Sequence, residues 1–266
     1  MEQDSKSRNL QRSDVRHPKI FEVTKATISQ LLEQNKKLDA EHLFLHIPKT
    51  GGSSFFDFIS ANKKIFEKVP TPLFHTWTAQ LALEYLPKSK LIFFIRDPLE
   101  RVVSGYQSRS RMGLPKYHVP WRPEEATAFA LFPTVYDFIN GLKSRDERDI
   151  AATKFAMDNI MAIRWNYKHY FNSVESIDKM QGSFMVYRLD NCDEAISDLL
   201  EKGILRCNNC SSARSVINLY PRSHSSKKKS SELINNICTA DRKSIEEKLS
   251  EEYAIFNRLA ELCCSR

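Results

Sequence analysis

Twice between residues 42 and 110 a short apolar run ends in a loop that opens directly into a helix, and this repetition leaves few folds available. The first instance is HLFLHIPKTGGSS, residues 42–54. Leu43, Phe44, Leu45 and Ile47 make a short buried strand, and Pro48 stops it. Lys49, Thr50, Gly51, Gly52, Ser53 and Ser54 follow, with no bulky side chain after the lysine. Paired glycines permit backbone angles that other residues avoid and let an external group approach the amides. Phe55, Phe58 and Ile59 then recur at helical spacing, so the loop ends at a helix N-terminus. Free amides, a helix dipole and a lysine together suit an anion, phosphate foremost. The second instance is KLIFFIRDPLERVVSGY, residues 90–106. Leu91 to Ile95 form a strand; Arg96 follows, with Asp97 as N-cap, Pro98 at the first helical position and Glu100 at the third, as in a capping box. Strand, loop and helix in alternation give an α/β fold with a parallel sheet, whose ligands gather at the carboxyl ends of the strands.

The remaining chain fits around these two units. Residues 1–19 are polar and read as a flexible arm, and residues 20–266 as a single domain. Ile28, Leu31 and Leu32 predict a helix from about Thr24 to Lys37. TPLFHTWTAQLALEYL, residues 71–86, reads as an extended piece ending near His75 and then an amphipathic helix. From Gly113 to about Tyr170 the sequence turns proline- and aromatic-rich, first as an irregular cover and then as helices around Val135–Leu142 and Asp149–Trp165. SFMVYRL predicts a third strand and DEAISDLL a helix after it. Helical spacing of Ile245, Leu249, Tyr253, Phe256 and Leu259 closes the domain. YPRSHSSKKKSS, residues 220–231, is a basic polar loop.

Composition narrows the class less sharply. With 266 residues and 41% hydrophobic content the chain can supply an ordinary globular core. A formal charge of +7 points to anionic ligands without saying which. The polar N-terminus lacks the apolar core of a secretory signal, and no run reaches the roughly 18 apolar residues of a membrane span. The expectation is therefore a cytoplasmic protein without a membrane anchor. Cys207 and Cys210 have metal-ligand or redox spacing, yet no second pair accompanies them, and the six cysteines of the chain read as a few reduced thiols in such a compartment.

Two familiar phosphate loops fail on residue order. A nucleoside triphosphatase loop needs its lysine after the glycines and a hydroxyl directly beyond, whereas Lys49 precedes Gly51 and Gly52. The glycine spacing of dinucleotide-binding folds is absent as well. HIPKTGGSS together with IFFIRDPLERVVSGY instead resembles the paired nucleotide motifs of sulfotransferases that use 3′-phosphoadenosine 5′-phosphosulfate, closest to the heparan sulfate 2-O- and 6-O-sulfotransferase branch. The resemblance covers about residues 42–106, with EEYAIFNRL loosely similar to that family's closing helix. It implies a P-loop-like three-layer fold, a central parallel sheet flanked by helices. It also implies that Lys49, Thr50, Gly51, Gly52, Ser53 and Ser54 hold the 5′-phosphosulfate, and that Arg96 and Ser104 hold the 3′-phosphate. Physical reasoning agrees: an arginine fork binds phosphate oxygens by parallel hydrogen bonds. Ser104 follows Asp97 by seven residues, on the same side of the helix. Arg101 stands near that face and either joins them or pairs with a carboxylate.

Sulfuryl transfer needs a deprotonated acceptor and a stabilised leaving phosphate. Lys49 is placed to neutralise charge on the bridging oxygen, a role that requires no metal. A histidine suits the base. His46, in a buried strand, reads as structural. His75, in LFHTW between the two motifs, is the candidate base, since the related 6-O-sulfotransferases carry a base histidine in a comparable stretch. The family also has a late loop over the nucleotide, which by resemblance brings in His224, Ser226 and Lys227. The expected activity is transfer to a hydroxyl of a small-molecule or saccharide acceptor, with adenosine 3′,5′-bisphosphate as product and no nucleic-acid partner. Transfer to an amine, a phosphotransferase dependent on magnesium and ATP, and a catalytically inactive polyanion-binding module are the alternatives. Segment 113–170 is expected to cover the acceptor, with Tyr117, Trp121, Trp165 and Tyr167 available for stacking or simple packing.

Overall fold

The computed structural model describes residues 30, 33, 38–115, 118–208 and 233–264. The expected arm at residues 1–19 and the loop with His224, Ser226 and Lys227 lie outside these residues. So does the expected helix at Thr24–Lys37, but for the helical Gln30 and Glu33. In chain order the first half runs β1 (Leu38–Phe44), α1 (Gly52–Ala61), β2 (Phe66–Pro72), α2 (Ala79–Tyr85), β3 (Lys90–Ile95) and α3 (Pro98–Ser110). A helical stretch follows: α4 (Pro123–Leu131), α5 (Val135–Lys143), α6 (Glu147–Asn159), α7 (Met161–Arg164), α8 (Tyr167–Phe171) and α9 (Val174–Met180). The chain then forms β4 (Phe184–Arg188), α10 (Cys192–Glu201), β5 (Arg206–Cys207), α11 (Thr239–Lys248) and α12 (Ser250–Cys264).

Five strands form one sheet in the order β4-β3-β1-β2-β5, with every pairing parallel except the antiparallel edge strand β5. Alternate residues of the central strands go to opposite faces. Leu43, Leu45, Leu91 and Phe93 pack with residues of α2, α8, α9 and α12 on one face. Phe44, Ile92 and Phe94 pack with α1 and α10 on the other. Burial on both sides explains why β3 reads as an unbroken apolar run. A further apolar cluster joins α3 to α4, α5, α6 and α11 beside the sheet.

β2 departs from the sequence reading, which assigned only an extended piece before His75. Its prolines, Pro70 and Pro72, argue against a strand. They are tolerated because Leu73 N–H donates to Phe44 O at 2.9 Å, which directs the odd-numbered amides of β2 toward β1 and the two proline nitrogens away from it. On that outer side β5 reaches only Phe66 and Lys68. The cover segment also differs: residues 123–131 form α4, where an irregular stretch was expected. Cys207 is disulfide-bonded, not the reduced thiol expected, while Cys192, Cys238 and Cys263 carry thiols.

Candidate functional site

Strand order places the site. β2 lies on one side of β1 and β3 on the other, so the chain reverses its direction across the sheet at β1. The crevice outside the carboxyl ends of β1 and β3 is thus the topological switch point, where open α/β sheets take their ligands. Phe44 is opposite Ile92, and Leu45 N–H continues the ladder to Ile92 O at 2.9 Å, so the Lys49 loop and the Arg96 loop leave the sheet side by side. β2 delivers His75 to the other flank of the first loop.

The first loop is shaped by two left-handed residues, Lys49 at φ 68° and Gly51 at φ 103°. A lysine there is strained, and such strain persists only where its surroundings enforce it. The left-handed backbone is what calls for glycine at 51; a Cβ there would also lie 2.3 Å from Leu189 Cδ1, a side-chain end that would have to move. A Cβ on Gly52 would lie 2.5 Å from His46 Cδ2. Thr50 is buried and its hydroxyl donates to Ile47 O at 3.0 Å, which closes the turn from within. Ser53 and Ser54 are exposed on the first turn of α1, with Ser53 Oγ 3.2 Å from His46 Nε2. Among the described residues no side chain caps this helix. Its first amides therefore keep the partial positive charge of a helix N-terminus.

The second loop is built differently. Asp97 caps α3 by accepting Glu100 N–H at 3.0 Å, so here the helix amides are already served. The reciprocal half of the expected capping box is missing because the Glu100 carboxylate pairs with Arg96 Nε at 2.9 Å. Arg96 is 8% exposed, and among the described residues its two terminal nitrogens have no partner. Ser104 is half-buried on α3. Arg101 does not join the site. It is buried, donates to the carbonyls of Ala162, Ile163 and Trp165, and pairs with Glu252 at 3.4 Å.

His75 sits against the end of β1. Its Nδ1 lies 2.7 Å from His46 O, and only a protonated nitrogen can face a carbonyl, so Nδ1–H donates and the neutral ring keeps its lone pair on Nε2. Its ring stacks on Trp165 at 5.5 Å and meets the tilted ring of His46 at 4.2 Å. Burial pushes its pKa below the usual histidine value, against the smaller upward pull of the His46 carbonyl. Trp165 is thus the one described aromatic of the expected four at the site. Trp121 stacks on Phe129 and donates to Arg109 O, Tyr167 is wholly buried, and Tyr117 lies outside the described residues. His46 touches both Ser53 and His75, a contact that only its place before the loop foreshadows in the sequence.

The fold and site thus define an α/β protein with a mostly parallel five-stranded sheet and three loops gathered at its carboxyl edge. No known family model, curated protein or solved structure matches the chain. Among the described residues, no helix is long and apolar enough to cross a membrane.

Proposed function

We propose that the chain is a sulfotransferase of P-loop-like fold that moves the sulfuryl group of 3′-phosphoadenosine 5′-phosphosulfate to a hydroxyl of a small-molecule or saccharide acceptor. The observation that carries this reading is the pairing, at one switch point, of a glycine loop bearing Lys49 with an arginine, where among the described residues the helix after the loop has no side-chain cap and the arginine's terminal nitrogens have no partner. Two anion sites of unlike construction suit a nucleotide phosphorylated at both ends of its ribose. Positive φ at Lys49 and Gly51 belongs to the class of turns that cradle phosphate with backbone amides. Arg96 and Ser104 would hold the 3′-phosphate.

The donor supplies an activated sulfuryl group. Around it, His75 Nε2 takes the proton of the acceptor hydroxyl as the new S–O bond forms, while the bond to the 5′-phosphate oxygen breaks. Lys49 neutralises the charge that the leaving oxygen acquires. A neutral imidazole at working pH is what this step needs, and the burial of His75 favours it.

The test is thermal stability with two nucleotides. Adenosine 3′,5′-bisphosphate should raise the melting temperature by mass action, and adenosine 5′-phosphate much less, because only the former engages Arg96 and Ser104. Equal shifts would remove the case for a 3′-phosphate site. The formal charge of +7 also fits a catalytically inactive polyanion-binding module. Stabilisation by heparin with none by the bisphosphate would favour that reading instead.

A further inference from the structure

One short segment, residues 165–170, reaches the backs of all three loops. Tyr167 Oη accepts Arg96 N–H at 2.8 Å and donates to Arg96 O at 2.6 Å. Tyr170 Oη donates to His75 O at 2.9 Å and, more weakly, to His46 O at 3.3 Å. Trp165 stacks on the His75 ring. These strand-end backbone groups lie just past the sheet ladder, where an unmade hydrogen bond is costly. Each tyrosine hydroxyl serves as a further rung. Burial pushes both phenols well above the usual tyrosine value, so they stay protonated and remain donors.

The segment is itself anchored from two directions. The Glu252 carboxylate of α12 accepts the backbone N–H of Tyr167 and of Lys168, each at 3.0 Å. Arg101 of α3 donates to Trp165 O at 3.3 Å. Packing alone would be served by phenylalanine at 167 and 170. The hydroxyls are spent on the backbone of residues assigned to donor binding and proton transfer.

Resting on the sulfotransferase reading for what the loops do, we infer that Tyr167 and Tyr170 are positioning residues: Tyr167 sets the Arg96 loop and Tyr170 sets the His75 loop against the end of β1. Misplacement of reacting groups by about 1 Å costs on the order of a hundredfold in rate, which is the use of such a clasp. Among the described residues, the titratable groups that touch His75 are His46 from the end of β1 and Tyr170 from α8, and the charged group beside its stacking partner Trp165 is Arg164 of α7, 5.5 Å over that ring.

The full-length chain with Tyr167→Phe or Tyr170→Phe separates the two roles, since each change keeps the ring and removes one oxygen. The readouts are affinity for adenosine 3′,5′-bisphosphate and the titration of His75 followed by NMR. Tyr167→Phe should weaken the bisphosphate by about tenfold, the scale of stranding buried backbone groups, and leave His75 titrating as in the wild type. Tyr170→Phe should change bisphosphate affinity by less than about twofold yet raise the His75 titration toward the ordinary histidine value as the loop admits water. Parallel losses in both variants, or no change in either, would overturn the clasp. The titration needs no nucleotide. If the wild-type chain binds no bisphosphate, the sulfotransferase reading falls, while a His75 shift confined to Tyr170→Phe still upholds the clasp and its absence still defeats it.

Discussion

His75 keeps a proton on the nitrogen that faces a carbonyl and a lone pair on the other, and this one side chain makes the sharpest residue-scale forecast. Replacing it with alanine should leave bisphosphate affinity nearly unaltered and cut transfer by roughly a hundred to ten thousandfold, as for loss of a general base. A screen of hydroxyl acceptors with labelled donor provides the assay. Because burial lowers its pKa, the wild-type rate should hold down to a pH below about 6.5 before the ring protonates. The stability it contributes runs the same way: present above the unfolded value and lost as pH falls toward the lowered folded one. An alanine variant that keeps its rate and its acid limb would pass the role to another group. The sequence made His75 a candidate through its place between two motifs. It could not foresee His46 as its neighbour, because the two stand 29 positions apart and are brought together only by the pairing of β1 with β2.

At the scale of elements, α1 and α3 follow adjacent strands and solve the same N-terminal problem in opposite ways. Asp97 serves the amides of α3 and accepts from Tyr253 at 3.2 Å, whereas among the described residues no side chain caps the amides of α1. Asp97→Ala should therefore destabilise the chain by about 1–2 kcal/mol in denaturant unfolding, the upper range for a helix cap. A change under about 0.3 kcal/mol would mean that the cap is replaced by other donors and acceptors. Asp97, Pro98 and Glu100 announced α3 in the sequence because capping is local chemistry. The diversion of Glu100 to Arg96 was not legible: both partners for the carboxylate lie within one turn, and sequence spacing does not choose between them.

At the scale of the molecule, the Arg101–Glu252 pair ties α3, the 165–170 segment and α12 into one support beneath the site. Both side chains are buried, so removing one partner strands a charge and several backbone groups. Glu252→Ala should cost about 3–5 kcal/mol of unfolding free energy, far above an exposed glutamate of α12 such as Glu251. Similar small losses for both would show that water replaces the carboxylate and that the support is not shared.

Much of the architecture follows from the sequence alone, because it depends on short-range pattern. The strand-loop-helix repeats, the capped start of α3, the terminal helices and the glycine loop are written in residues a few positions apart. Tertiary structure decided what depends on distance along the chain. It allowed two prolines in β2 by turning their nitrogens outward, and it took Arg101 from the site by burying it against Glu252. It also turned two tyrosines of an expected acceptor cover toward the backs of the loops. In each case the deciding partner is a backbone or buried charged group whose need for a hydrogen bond exists only once the sheet has closed around it.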